Sequence, residues 1–118
     1  MNQTVRFQEI LRRLAIIDEG FVEDQTGLRL GLPGFRLEPK TAALARVGAL
    51  AAIGAPGVCL EWSTTAALAA GATEDEITGV LLAIAPVAGL GRVVTAVPGV
   101  ADAFGYDIET ALEDPGGH

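Results

Sequence analysis

The chain has 118 residues, a common size for a single domain, and we predict one domain over residues 1–118. Half of the residues are hydrophobic but only 5% are aromatic, so the core should consist mainly of small and branched aliphatic side chains. Eight Lys and Arg against fifteen Asp and Glu give a formal net charge of -7, which repels a phosphate backbone and argues against nucleic acid as a partner.

Cysteine and histidine content bears on the compartment and on metal chemistry. The one cysteine, Cys59, cannot form a disulfide within the chain, and the one histidine, His118, has no second ligand near it in sequence. The first residues, MNQTVRFQEILRR, lack the continuous apolar segment of a signal peptide. We therefore expect a cytoplasmic protein with no metal and no cofactor. The uncharged run from Ile77 to Gly91 is shorter than the roughly 20 residues that span a bilayer, so no membrane span is expected.

An amphipathic helix is predicted near the start of the chain. Thr4 is its expected N-cap and Gly20 its expected end. The apolar positions that recur at helical spacing are Phe7, Ile10, Leu11, Leu14 and Ile17. The following FVEDQTG is consistent with one helical turn, and the glycines and proline of LRLGLPGFRLE predict a loop. Residues 1–36 are thus expected to form an N-terminal helix and loop that precede a helical core over 37–105.

A pair of helices should open this core. Pro39 suits the first helical position after Glu38, because its missing N–H costs nothing there. The expected buried stripe consists of Leu44, Val47, Leu50, Ala51 and Ile53. GAPG at 54–57 predicts a break, and a second helix is expected over 58–70, closed by Gly71. Two helices joined by so short a connection should be antiparallel neighbours.

The sequence from Ala72 to Ile77 predicts a helix start. Thr73 can accept a hydrogen bond from the N–H of Glu76, while the Glu76 side chain reaches back to the N–H of Thr73. Ala72 and Ile77 occupy the two apolar positions that flank such a capping box. The acidic residues that follow Thr73 suit the positive end of the helix dipole, so we interpret them as a solvated cap.

The remaining helices are apolar on more than one face. Pro86 and Pro98 each remove a backbone hydrogen bond, and kinks or breaks are expected beside them. So much apolar surface in a small domain favours contact between subunits, and a homo-oligomer is predicted. A short last helix should start near Asp107, before a frayed tail at 113–118. Since no segment alternates apolar and polar residues, the predicted fold class is all-α.

Chemistry-bearing residues concentrate near the start of the 58–70 helix. Gly89-Leu90-Gly91 lacks the third glycine of a dinucleotide loop, and no internal histidine is present to serve as a base. On a helix, Cys59 shares a face with Trp62 and Ser63, whereas Glu61 points elsewhere. Alternatives remain open, because Cys59 and Trp62 can be core residues and Ser63 can bond back to a helix carbonyl.

Three segments together resemble the carboxymuconolactone decarboxylase and alkylhydroperoxidase D-like family. They are LEPKTAALARVGALAAIG, CLEWSTTAALAAG and ATEDEITGVLLAIAPVAGLGRVVTAV, which start at residues 37, 59 and 72. The resemblance implies an all-helical fold built on an antiparallel helix hairpin, assembled into dimers, trimers or hexamers, with pockets near subunit contacts.

The catalytic residues of that family carry over only in part. Its peroxidase branch has a C-x-x-C pair, a histidine four residues after the second cysteine, and a glutamate on the preceding helix. Cys59 matches the second cysteine, whereas Pro56 stands at the first and Ser63 at the histidine. The glutamate falls at about Ala43. Decarboxylase-like members also carry a histidine at the position of Ser63, and serine does not titrate near neutral pH.

Three functional interpretations follow. The first is a small-molecule-binding helical oligomer on this family's scaffold, without its C-x-x-C and histidine chemistry. The second is a thiol-dependent antioxidant, resembling a peroxiredoxin, in which Cys59 reacts and Arg46 or Arg92 stabilises the thiolate. The third is a decarboxylase, isomerase or lactone-processing enzyme that uses Glu61 with an arginine. Cys59 and Glu61 are thus the catalytic candidates, and the ligand-binding candidates are Arg46, Trp62, Ser63 and Arg92.

Overall fold

The structure is a computed structural model that describes residues 3–16 and 37–113. Six helices account for most of these residues, and no strand occurs among them, which confirms the all-α class. The helices are α1 (Gln3–Ala15), α2 (Pro39–Ala52), α3 (Gly57–Ala69), α4 (Glu74–Ala88), α5 (Leu90–Phe104) and α6 (Ile108–Glu113). They fall into two compact units, Met1–Leu37 and Glu38–His118, and the single domain remains a prediction.

The first unit contributes α1, whose apolar spacing gave the prediction of a helix. It begins at Gln3, so Thr4 lies inside the helix and not at the predicted N-cap position. Its described end is Ala15, and both the predicted stop at Gly20 and the predicted loop over 21–36 lie outside the described residues. On its exposed surface, Glu9 accepts hydrogen bonds from Arg12 and Arg13.

The second unit begins with α2 at the predicted residues. Glu38 is the N-cap residue and Pro39 opens the helix. Val47 and Ala51 are buried as expected, but Ile53 is 71% exposed and follows the last helical turn, so its assignment to the core was wrong. The chain turns at Gly54, whose φ of 73° is the left-handed region that glycine adopts without a Cβ penalty.

The junction from α3 to α4 also follows the sequence closely. α3 begins one residue earlier than predicted, and Gly71 closes it with a φ of 101°. The capping box is present, since the N–H of Glu76 donates to Thr73 Oγ1 at 3.0 Å and the N–H of Thr73 donates to Glu76 Oε1 at 2.9 Å. Lys40 Nζ lies 3.1 Å from Glu76 Oε2, so the same carboxylate also bonds to the first turn of α2.

Neither internal proline breaks its helix. α4 runs through Pro86 to Ala88 and α5 runs through Pro98, so neither helix breaks at its proline, and the kinks expected beside them remain a prediction. Gly89, with a φ of 93°, separates α4 from α5. Each proline removes only one backbone donor from its helix.

Small side chains dominate the core of the second unit. The buried apolar residues are Ala43, Val47, Ala51, Leu60, Ala67, Ala72, Ile77, Leu81, Ala96, Val100 and Ala101. With so many alanines, the helices must approach closely to leave no voids. α3 makes its most extensive contacts with α5, and α2 packs against both α3 and α4. These contacts fix the orientation of α3, which carries Cys59.

Several large apolar side chains of this unit remain exposed. Leu82 and Val87 of α4 and Leu90 and Val94 of α5 are 67–91% exposed. Trp62 on α3 is 69% exposed. Among the described residues, no helix has both the length and the apolar content required of a membrane span.

Candidate functional site

Cys59 lies in the first turn of α3. Pro56 is the N-cap residue, and its carbonyl oxygen accepts a hydrogen bond from the Cys59 N–H at 2.9 Å. The thiol group belongs to a free cysteine that is partly buried, neither enclosed in the core nor fully open to solvent. The start of a helix is the end at which backbone N–H groups favour negative charge. This location is compatible with thiol chemistry.

The two predicted neighbours of Cys59 on this face differ in exposure. Ser63 Oγ donates to the carbonyl oxygen of Leu60 at 3.1 Å, which is the back-bonding alternative considered for it. Trp62 is not a core residue, because 69% of it is exposed. Val58, one turn before Trp62 on the same helix, is 47% exposed. The face of α3 around Cys59, hereafter the Cys59 face, therefore carries uncovered apolar surface.

The charged candidates do not converge as expected. Arg46 is exposed on α2, Glu61 is half-buried on α3, and no ion pair or hydrogen bond joins their side chains. Arg46 remains solvated and needs no partner, so the structure shows no pairing of these two charges. Glu61 is not within hydrogen-bonding distance of Arg92 either, as both side chains are described and no such contact occurs.

Arg92 instead lies at the turn that leads into α3. A Cβ built at Gly54 would collide with Nη1 of Arg92, so the guanidinium lies directly against the backbone of that turn. Only a glycine leaves room for this contact. Of the two arginines considered for thiolate stabilisation, Arg92 is therefore the one placed beside the segment that precedes Cys59, although it is itself largely exposed.

Thr64 was not singled out from the sequence. It is fully buried, and within the described part of the chain its hydroxyl oxygen has no hydrogen-bond partner. It follows Ser63 directly on α3 and faces the core. A buried hydroxyl without a partner lowers stability, since the group has lost its hydrogen bonds to water. No sequence signal distinguishes it from Thr65, whose hydroxyl donates to the Glu61 carbonyl oxygen at 2.9 Å.

Two adjoining pockets at the α5–α6 corner were also missed. The first, the apolar pocket, has a volume of about 280 Å3 and is lined by Thr78, Leu81, Val97, Val100, Ala101, Phe104, Tyr106 and Ile108. The second, the acidic pocket, has a volume of about 380 Å3 and is lined by Pro98, Asp102, Gly105, Tyr106, Asp107, Ile108 and Glu109. No candidate residue from the sequence lines either one. The available signal was the segment FGYD at 104–107, where two aromatic residues flank a helix-ending glycine.

Asp107 has a defined local role at this corner. Its Oδ1 accepts from the N–H of Thr110 at 3.0 Å and its Oδ2 accepts from Thr110 Oγ1 at 2.7 Å. These hydrogen bonds, the backbone N–H first, hold the pKa of the Asp107 carboxyl below its usual value. Asp107 therefore caps α6, as the prediction of a helix start there implied.

Metal ligands are not grouped in the described ranges 3–16 and 37–113. No three His, Cys, Asp or Glu side chains within them are arranged to hold an ion. The absence of a metal or cofactor in the native protein remains a prediction.

Comparison with known proteins gives one match. The model of the carboxymuconolactone decarboxylase family matches residues 27–102, which is more than half of the chain and includes α2 to α4 and most of α5. No curated protein and no solved structure matches the chain. The family match confirms the resemblance inferred from the three sequence segments, and it names no reaction for this chain.

Proposed function

Because the chain belongs to the carboxymuconolactone decarboxylase family, we propose that it is a cytoplasmic helical homo-oligomer that binds a small molecule at the Cys59 face. The scaffold is the antiparallel α2–α3 hairpin with α4 and α5 packed on it. The family's C-x-x-C and histidine chemistry is absent from this function. The reaction, if the protein catalyses one, is a different reaction.

The exposure of Trp62 is the observation that supports this proposal. A tryptophan is the largest apolar side chain, and here it is 69% exposed beside a partly buried cysteine. A surface of this kind is typical of contact with a partner or a ligand. A second copy that covers Trp62 and Val58 would convert the open face into a pocket between subunits. The exposed Leu82, Leu90 and Val94 provide further apolar surface for assembly.

The residues that replace the catalytic set argue against family peroxidase chemistry. Pro56 cannot supply the partner thiol, and the hydroxyl of Ser63 already donates to the Leu60 carbonyl oxygen. A dithiol mechanism needs a second thiol to resolve the oxidised cysteine. The third hypothesis, chemistry by Glu61 with an arginine, gains no support either, because neither Arg46 nor Arg92 contacts Glu61.

One observation favours a second candidate function. Cys59 is partly accessible at a helix N-terminus, and Arg92 lies at the turn before that helix. Turnover with a single thiol at this position is the alternative to binding alone. Hydroperoxide consumption with a dithiol reductant separates the two. We expect a rate near background; a rate that is lost in Cys59→Ser and kept in Ser63→Ala would establish the alternative.

Light scattering at micromolar concentration tests the oligomer directly. We expect a mass of at least a dimer for the native chain. Charges introduced at exposed apolar positions, as in Leu82→Glu with Leu90→Glu, should give a monomer, whereas Thr95→Glu, at an exposed polar position, should not. A monodisperse native monomer would refute the assembly proposal.

Fluorescence tests whether the Cys59 face is covered. Trp62 is the only tryptophan of the chain, so selective excitation reports on this face alone. In the assembled protein, acrylamide should quench Trp62 less and its emission should lie further to the blue than in the monomeric variant. If the two forms give the same emission and the same quenching, assembly leaves the Cys59 face open and the proposed pocket between subunits is wrong.

A further inference from the structure

The apolar pocket has a buried floor and is open to solvent. Leu81, Val100 and Ala101 form the floor and are each at most 5% exposed. The walls are partly exposed and include Val97 and Phe104 from α5 and Ile108 from α6. A concave apolar site with a buried floor is the form that ligand pockets take, and about 280 Å3 lies just below their usual range of roughly 300–1,000 Å3.

The position of the walls depends on the turn between α5 and α6. Gly105 has a φ of 70°, and the N–H of Tyr106 donates to the carbonyl oxygen of Ala101 at 2.9 Å. This closure fixes Tyr106 where α5 ends, and the Asp107 cap fixes the start of α6. The backbone positions of Tyr106 and Ile108, which line both pockets, therefore depend on these hydrogen bonds.

Tyr106 and Ile108 are shared by the two pockets, so the pockets adjoin. The acidic pocket presents the carboxylates of Asp102, Asp107 and Glu109, and neither lining contains a basic residue. Asp107 is already engaged with Thr110. The side chains of Asp102 and Glu109 make no hydrogen bond or ion pair with the described residues, so both are available to a ligand.

We propose that these two pockets together bind a small organic cation with an apolar body, of the class of aromatic primary amines. The apolar body lies on Val100 and Phe104, and the ammonium group reaches Asp102 and Glu109 across the ring of Tyr106. An apolar cavity of about 150 Å3 takes up benzene, so the apolar pocket has room for a ring with a short chain. The electron-rich face of Tyr106 and the adjoining carboxylates both favour positive charge.

This site is separate from the Cys59 face. It involves α4, α5 and α6, whereas the proposed pocket between subunits involves α3. The two proposals therefore fail independently. Loss of assembly in the Leu82→Glu and Leu90→Glu protein leaves the amine site testable in the monomer.

Three probes that share a phenyl ring and differ in charge test the proposal. Titration of the native protein with phenethylamine, phenethyl alcohol and hydrocinnamate, followed by two-dimensional NMR, gives a dissociation constant for each and locates it. We expect the amine to bind at least about threefold more tightly than the alcohol, and the carboxylate most weakly. Shifts should centre on Val97, Phe104 and Tyr106. Added salt should weaken binding of the amine but not of the alcohol.

Matched variants separate the two parts of the site. Asp102→Asn with Glu109→Gln should reduce amine affinity to that of the alcohol and leave alcohol binding unchanged. Glu74→Gln with Asp75→Asn removes the same charge from exposed residues elsewhere and should leave both affinities unchanged. Thr78→Phe, at an exposed wall position, should weaken every probe, whereas Thr95→Phe on α5 should not.

Four results would overturn the proposal. They are the absence of binding by all three probes, equal affinities for the amine and the alcohol, amine binding that survives Asp102→Asn with Glu109→Gln, and shifts centred on Trp62. The charge-removal variants change exposed residues only, and their folding is checked by the same NMR spectra.

Discussion

Gly99 of α5 lies directly against the backbone carbonyl oxygen of Gly57, the first residue of α3. A Cβ at Gly99 would collide with that oxygen and would lie 3.0 Å from Leu60 Cβ. The two helices that make the most extensive contact thus cross where neither has a side chain between them. This crossing holds the first turn of α3, and with it Cys59, against the core.

Gly99→Ala should therefore destabilise the fold although alanine is the better helix former. The added methyl group cannot be accommodated without moving a backbone, and such overpacking costs about 1–3 kcal/mol. Gly79→Ala is the matched control, because Gly79 is also inside a helix and a Cβ there meets nothing within 4 Å. It should raise the free energy of unfolding by about 0.4–1 kcal/mol. Denaturant melts of both variants test this prediction. Equal changes in the free energy of unfolding would show that α3 and α5 shift to accommodate the added methyl group.

Thr64→Val should stabilise the protein. The substitution keeps the shape of a fully buried side chain and removes a hydroxyl that has no partner among the described residues. We expect the free energy of unfolding to rise by about 1 kcal/mol. Thr65→Val, at the exposed neighbouring position, should change it by less than about 0.5 kcal/mol. A loss of stability in Thr64→Val would indicate that the hydroxyl is satisfied in solution.

The ionised carboxylate of Glu76 should stabilise the folded protein, and this contribution should be lost in acid. The Thr73 N–H, followed by Lys40, holds the pKa of its carboxyl below the usual value of 4.5. A lowered pKa in the folded state means that the contribution is complete above pH 4.5 and is lost as the pH falls through the folded-state pKa. Glu76→Gln should therefore be less stable than the native protein near neutral pH, with a difference that shrinks in acid. Urea melts over a pH series test this, with Glu74→Gln as the exposed control in the same turn.

Glu61 and Arg46 should tolerate truncation. Since Arg46 is exposed and the two side chains form no ion pair, Glu61→Ala and Arg46→Ala should each cost less than about 1 kcal/mol. Leu60→Ala provides the contrast, because Leu60 is fully buried beside Glu61 and its truncation should cost about 2–5 kcal/mol. A cost of about 3 kcal/mol in Glu61→Ala would contradict this prediction and would indicate a buried carboxylate paired with a cation.

The sequence by itself determined the helices and most of their ends. The ends were marked by Pro39, by Gly71 and by the capping box of Thr73 with Glu76. These signals act through backbone conformation and hydrogen bonds within a few residues, so they can be recognised from the sequence alone. Family membership could also be recognised from the sequence, because the motifs of α2 to α5 are continuous segments. Helical periodicity further placed Val47 and Ala51 in the core.

Only the tertiary structure decided which of several apolar or polar residues a neighbouring helix covers. Trp62 and Ile53 are exposed and Thr64 is buried, although periodicity alone suits either outcome. The separation of Arg46 from Glu61 depends on how α2 and α3 are rotated about their axes, which local sequence does not encode. The apolar pocket forms where Tyr106 and Ile108 lie beside residues of α4 and α5. Each of these features depends on contacts between residues distant in sequence, and their geometry is set by the packing of small side chains at points such as Gly99 and Gly57.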